Sequence, residues 1–150
     1  MQDINQLPPE KQLDFWLGVW EATWGDGQHG SNQIQRVLDG QVIQEDFDGR
    51  PGIDFRGHSV SVYSPQYQQW QQTWVDSQGS YWHLRGGWQQ DRFILIADDI
   101  LSGRAVKYRM VFYHITPDTF DWDWELSEDE GQTWNLRWRL HYQRKACTPS

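Results

Sequence analysis

The sequence predicts an all-β protein: a single antiparallel up-and-down β-barrel of about ten strands, with a short N-terminal helix closing one end. Three observations carry this. After Gly18 the apolar residues recur with a period of two, turn signals arrive about every 8 to 12 residues, and no second amphipathic helix interrupts them. Closing such a meander into a barrel removes its exposed edge strands. The 150 residues make one domain, divided into an N-terminal segment with the short helix (1–17), the barrel (18–144) and a tail (145–150).

The helix is read from Pro8-Pro9-Glu10, which places proline in the first turn, and from Leu13, Trp16 and Leu17, spaced i, i+3, i+4. Gly18 ends it. The first strand, 19–24, sets Trp20, Ala22 and Trp24 on one face. Strands 32–38 and 41–47 form a hairpin across Asp39-Gly40, a pair suited to turn positions with positive φ. Strand 55–63 follows the loop "DGRPG", and "DSQG" separates 70–76 from 80–88, in which Gly86-Gly87 marks a bulge or bend. Strands 92–97, 105–115, 120–126 and 133–142 complete the set.

The chain carries 11 Trp, 6 Tyr and 6 Phe. Its core must therefore be built largely from rings, which also suit the wall of a pocket. A net charge of −8 disfavours nucleic acid and anionic membrane as partners. The late basic residues Arg137, Arg139, Arg144 and Lys145 alternate with Trp138, Leu140 and Tyr142, as on a solvated strand face. The single cysteine, Cys147, excludes a disulfide framework, and its place on the tail suits no catalytic thiol. No apolar run approaches the ~18 residues of a membrane span. "MQDINQLPPEKQ" has neither the basic nor the apolar part of a signal peptide. The expected location is the cytoplasm, as a monomer or homodimer.

Gly18-Val19-Trp20 behind a short helix, with Arg144 in "HYQRK" on the last strand, resembles the calycin superfamily of lipocalins, fatty-acid-binding proteins and relatives. The resemblance implies that Arg144 covers the first-strand Trp and closes the barrel end, bonded to the preceding helix. In order, "DFWLGVWE", "LDGQVIQEDFDG", "FRGHSVSVY", "WQQTWVDSQG" and "SEDEGQTW" resemble the landmarks of a bacterial calycin-like family, the domain of unknown function 1579. That resemblance implies the fold and carries no biochemical assignment. Ser127, Asp129, Gly131, Thr133 and Trp134 also spell S-x-D-x-G-x-T-W, which resembles the Asp-box of sialidases. Occurring once in so short a chain, it reads as a hairpin turn held by Asp129 and not as sugar-cutting machinery.

Asp121, Asp123 and Glu125 alternate with Trp122, Trp124 and Leu126, so the acids are expected in water and the rings inside. Gln72, Trp74 and Asp76 share a face with Trp70; if inward, they line a pocket beside Ser59, Ser61 and Tyr63. Asp76 is equally suited to capping the turn at "SQG". His29, His58, His83, His114 and His141 are scattered without zinc-like spacing, so no metal is expected. His141 resembles the late-strand haem ligand of the nitrobindin barrels, but it alternates out of phase with Leu140 and Tyr142 and so faces solvent. No cofactor is expected.

The leading reading is a barrel that binds a small, partly apolar or aromatic molecule through Tyr63, Gln72, Trp74, Asp76, Arg109, Trp122 and Trp124. The alternative is a barrel enzyme (isomerase, cyclase or lyase). Asp76 or Glu45 would be its general base, and Arg109 or Tyr63 would polarise the substrate. Carbohydrate binding would need coplanar Trp rings on the outer surface, and haem binding would need His141 inside.

Overall fold

The computed structural model describes residues 3–146, so Cys147 lies outside the described residues. Ten strands run in order: β1 (Gly18–Trp24), β2 (Gln28–Val37), β3 (Val42–Asp48), β4 (Arg56–Ser64), β5 (Gln69–Asp76), β6 (Tyr81–Gln89), β7 (Arg92–Leu101), β8 (Arg104–Tyr113), β9 (Thr119–Ser127) and β10 (Asn135–Arg144). Each pairs antiparallel with its sequence neighbours, and β1 pairs with β10 to close the barrel. The architecture is the expected up-and-down barrel and is consistent with a calycin-like fold. No helix among the described residues is long and apolar enough to cross a membrane.

Strand ends differ from the expectation where polar residues pair through backbone alone. β2 starts at Gln28 because Gly30 and Ser31 extend the ladder opposite Ala22 and Glu21. β7 runs to Leu101 because Asp98 and Asp99 pair with Lys107 and Val106. At the β2–β3 hairpin, Leu38 joins Asp39 and Gly40 at positive φ (51°, 59° and 79°), so the turn is wider than a two-residue one.

The short helix consists of separate 3-10 turns, Ile4–Gln6, Pro9–Lys11 and Asp14–Trp16. The segment seats Leu13 and Trp16, both buried, across one barrel end. Phe15 joins them, meeting Trp88, Phe112 and Phe120 edge-on. Trp20 Nε1 donates to the Trp16 carbonyl at 2.8 Å. The Arg144 guanidinium lies 4.2 Å above the Trp20 ring and donates from Nη1 to the Leu17 carbonyl at 2.7 Å. Gly18 is required by this closure: a Cβ there would stand 2.3 Å from Arg144 Nη1. The end is sealed.

The Asp-box-like stretch is the β9–β10 turn. Asp129 Oδ1 accepts from the Thr133 amide and the Ser127 hydroxyl, both at 2.8 Å, and Oδ2 accepts from the Thr133 hydroxyl. These bonds, led by the Thr133 hydroxyl, hold its pKa down to about 2. It is a turn residue.

Candidate functional site

Strand alternation decides what faces the interior. β5 turns Trp70, Gln72, Trp74 and Asp76 inward, which leaves Thr73 and Val75 outside. β9 turns Phe120, Trp122, Trp124 and Leu126 inward, and β3 does the same with Ile43, Glu45 and Phe47. Because the sealed end takes up only part of the barrel, these rings enclose a cavity of about 230 Å³. Its floor includes Trp16, Leu84 and Phe112; its far rim includes Asp76, Gln78 and Ser80 of the β5–β6 turn, where Gln78 is exposed.

The walls are half-buried rings. Trp122 and Trp124 lie parallel (3° between planes, centroids 6.3 Å apart), and Tyr108 stacks on Trp124 at 5.2 Å. Trp82 meets Trp124 edge-on at 5.5 Å. Across the cavity Phe55 stacks on Trp74, and Trp138 stands edge-on to Phe47, Phe55 and Trp122. Trp74 can lie flat only because residue 57 is glycine: a Cβ there would be 2.1 Å from the indole.

One carboxylate sits in this apolar wall. Glu45 is buried, accepting from Asn32 Nδ2 on Oε2 and from the Ser59 hydroxyl on Oε1, each at 2.7 Å. Burial pushes its pKa above the usual carboxylate value, and the two hydrogen bonds offset only part of that. Asn32 Nδ2 also reaches the Tyr142 hydroxyl at 3.4 Å, and burial, then the charge of Glu45, raises that phenol well above its ordinary value. Asn32 Oδ1, Gln72 Oε1 and Trp70 Nε1 are buried without a hydrogen-bond partner among the described residues.

Asp76 combines the two roles that its sequence position suggested. Its Oδ1 accepts from the Gln78 and Ser80 amides (2.9 and 3.1 Å), capping the turn, and its Oδ2 accepts from Trp74 Nε1 at 2.9 Å on the cavity rim. Of the other sequence-predicted residues, Trp74, Trp122, Trp124 and Glu45 line the same cavity. Gln72 is inward but holds the Ser61 hydroxyl at 2.9 Å, and Tyr63 packs edge-on against Trp70; neither lines the cavity.

Arg109 is not brought to the cavity. It lies on the outer face, with Nε on Glu125 at 2.7 Å and its guanidinium 4.1 Å over Trp134. β8 is apolar on both faces around it: inward Met110 and Phe112 and outward Val111 are all buried. The acids of β9 face outward as expected but are not merely solvated. Arg139 grips Asp123 with two bonds of 2.9 Å, and Tyr113 donates to it at 3.0 Å. Burial and that bond push the Tyr113 phenol up to about 12. Asp121 holds both His114 and His141 on the outer face, so His141 points away from the interior.

Trp82, Trp138, Phe55, Tyr142 and Asn32 also belong to the site but were not singled out in the sequence. Trp138 and Tyr142 share an inward parity with Leu140; Asn32 shares one with Ile34. Every Trp except Trp134 belongs to the core or packs against it, so outward coplanar stacking platforms are not present among the described residues. Nor do these residues form any group of three or more potential metal ligands.

The family model described as "Protein of unknown function (DUF1579)" matches residues 15–144, and the chain belongs to that family. No curated protein matches it.

Proposed function

We propose that this member of the DUF1579 family takes a small, partly apolar or aromatic molecule into the open end of its barrel. The observation that carries the reading is the cavity itself, walled by aromatic rings that are only partly buried although they stack on one another. Rings packed only for stability would be closed over, as they are at the sealed end. A concave, mostly apolar space with a few convergent polar groups is the usual make-up of a small-molecule site. Within this reading the partner is the small molecule, with neither nucleic acid nor membrane involved, and the compartment is the cytoplasm.

The test is native mass spectrometry on protein purified gently from its own host, beside an ultraviolet–visible spectrum. The expected result is a stoichiometric mass excess lost on denaturation. A clean polypeptide mass, together with no heat of binding for apolar amines, alcohols or acids, would overturn the reading.

A second reading, reaction at Glu45, is favoured by one observation: a buried carboxyl with a raised pKa on the cavity wall. Asp76 is the weaker candidate base, since its oxygens already accept three N–H bonds. Under this reading Glu45→Gln protein would accumulate a bound molecule of different mass from that on the wild type; under simple binding the mass is the same.

A further inference from the structure

We infer that the cavity selects an organic cation: a compact amine whose ammonium group meets Glu45 while its apolar body lies among the Trp rings. The inference rests on the binding reading above and gives that site its ligand class. Three observations lead to it.

The first is charge. Among the described residues, Glu45 and Asp76 are the charged side chains that line the cavity, and no Lys, Arg or His lines it. An anion would enter against both carboxylates with nothing to receive it. The second is the walls. Trp74, Trp122, Trp124 and Trp138 line the space, and Phe55 and Tyr142 add to the lining. The ring quadrupole is negative on its face, so such a cage attracts an ammonium ion, most strongly where water is excluded. A neutral apolar molecule would gain burial from these rings, but nothing from their charge distribution.

The third observation distinguishes the two acids. Asp76 stands on the rim with its charge already distributed over three N–H donors. Glu45 lies in the wall with one neutral donor on each oxygen, and desolvation works against its ionised form. A buried carboxylate is costly until an opposite charge is placed beside it. A ligand ammonium supplies that charge, and Glu45 is therefore the anchor. Tyr142, whose hydroxyl accepts from Asn32 and has no acceptor for its own proton among the described residues, sits next to it. Asn32 Oδ1, on the same side chain that donates to Glu45, is buried without a hydrogen-bond partner among the described residues.

Three probes of nearly equal size separate charge from shape: phenethylamine, phenethyl alcohol and phenylacetate, titrated calorimetrically into the full chain at neutral pH. The expected order is amine tightest, by at least about tenfold over the alcohol, with phenylacetate weakest. Glu45→Gln should bring the amine down to within about threefold of the alcohol while the alcohol itself changes little. That variant keeps the shape of the side chain, and a flipped Asn32 can accept from its amide. The wild-type ranking stands as a test even if the variant folds poorly. If the alcohol binds as tightly as the amine, or Glu45→Gln keeps the amine preference, the cation assignment fails while the binding reading survives. If none of the three binds, the cation assignment fails, and the native mass spectrum alone decides the binding reading.

Discussion

Trp20 and Trp124 are both inward rings on barrel strands, yet they sit in opposite situations. Trp20 is fully buried, with its indole N–H bonded, one face under Arg144 and its edge on Phe120 at 4.8 Å. Trp124 has Tyr108 stacked on it but is only half-buried and borders the cavity. At the sealed end a ring such as Trp20 is wholly enclosed by packing; at the open end the rings pack on one another and also border the cavity. Ring count therefore says nothing about function, and the state of the ring faces says a good deal.

The sharpest way to break the comparison is to delete each ring. Trp20→Ala should cost about 3–5 kcal/mol in urea-induced unfolding, because it leaves a cavity amid packed neighbours and strands Arg144. Trp124→Ala should cost about 1 kcal/mol and chiefly enlarge a space that already exists. Equal costs would mean that the open end is packed as tightly as the sealed one. Next in size, Gly57→Ala should destabilise by about 1–3 kcal/mol, since its methyl group must displace the Trp74 ring. The near-ultraviolet circular dichroism should change with it, and amine binding should be lost; an unchanged spectrum would show that the ring has room to move.

The smallest effect is a pH slope. The folded-state pKa of Glu45 is raised above its ordinary 4.5, so the folded protein holds that proton more tightly than the unfolded chain does. Its contribution to stability is full below 4.5 and is lost as pH rises through the raised value. The slope from one such group is at most about 1.4 kcal/mol per pH unit. Urea titrations across that window should give a flatter profile for Glu45→Gln; identical profiles would mean that Glu45 does not titrate there.

The barrel was legible because alternation and turns are local, and the Trp20–Arg144 clamp because the calycin resemblance carried by Gly18-Val19-Trp20 and "HYQRK" implied it. The site was less so. Strand β5 mixes Trp70, Gln72, Trp74 and Asp76 on one face, so polarity alone could not label the inside; register against β4 does. Arg109 was misplaced because β8 has apolar residues at both parities. Asn32 lies opposite Phe47 and meets Glu45 only on the diagonal, a side-chain contact that the expected pairing of β2 with β3 does not by itself name. Glu45 could be suspected because it shares strand parity with Ile43 and Phe47, both core residues, while Asp46 has the opposite parity.

The seam between β1 and β10 differs from every other junction of the barrel. The remaining strands join sequence neighbours, so each can form as a hairpin while the chain grows. β1, made first, must wait for the whole barrel to be synthesised before Tyr142, Gln143 and Arg144 reach it. Until then both outer strands present open backbone, the condition in which chains associate wrongly. Arg144, bonded to the Leu17 carbonyl, and the backbone bond from Lys145 to Val19 arrive with β10 and fasten the start of β1 to it. Closure is thus a late step in folding, and a chain ending before β10 would carry two unpaired edges and no means of joining them.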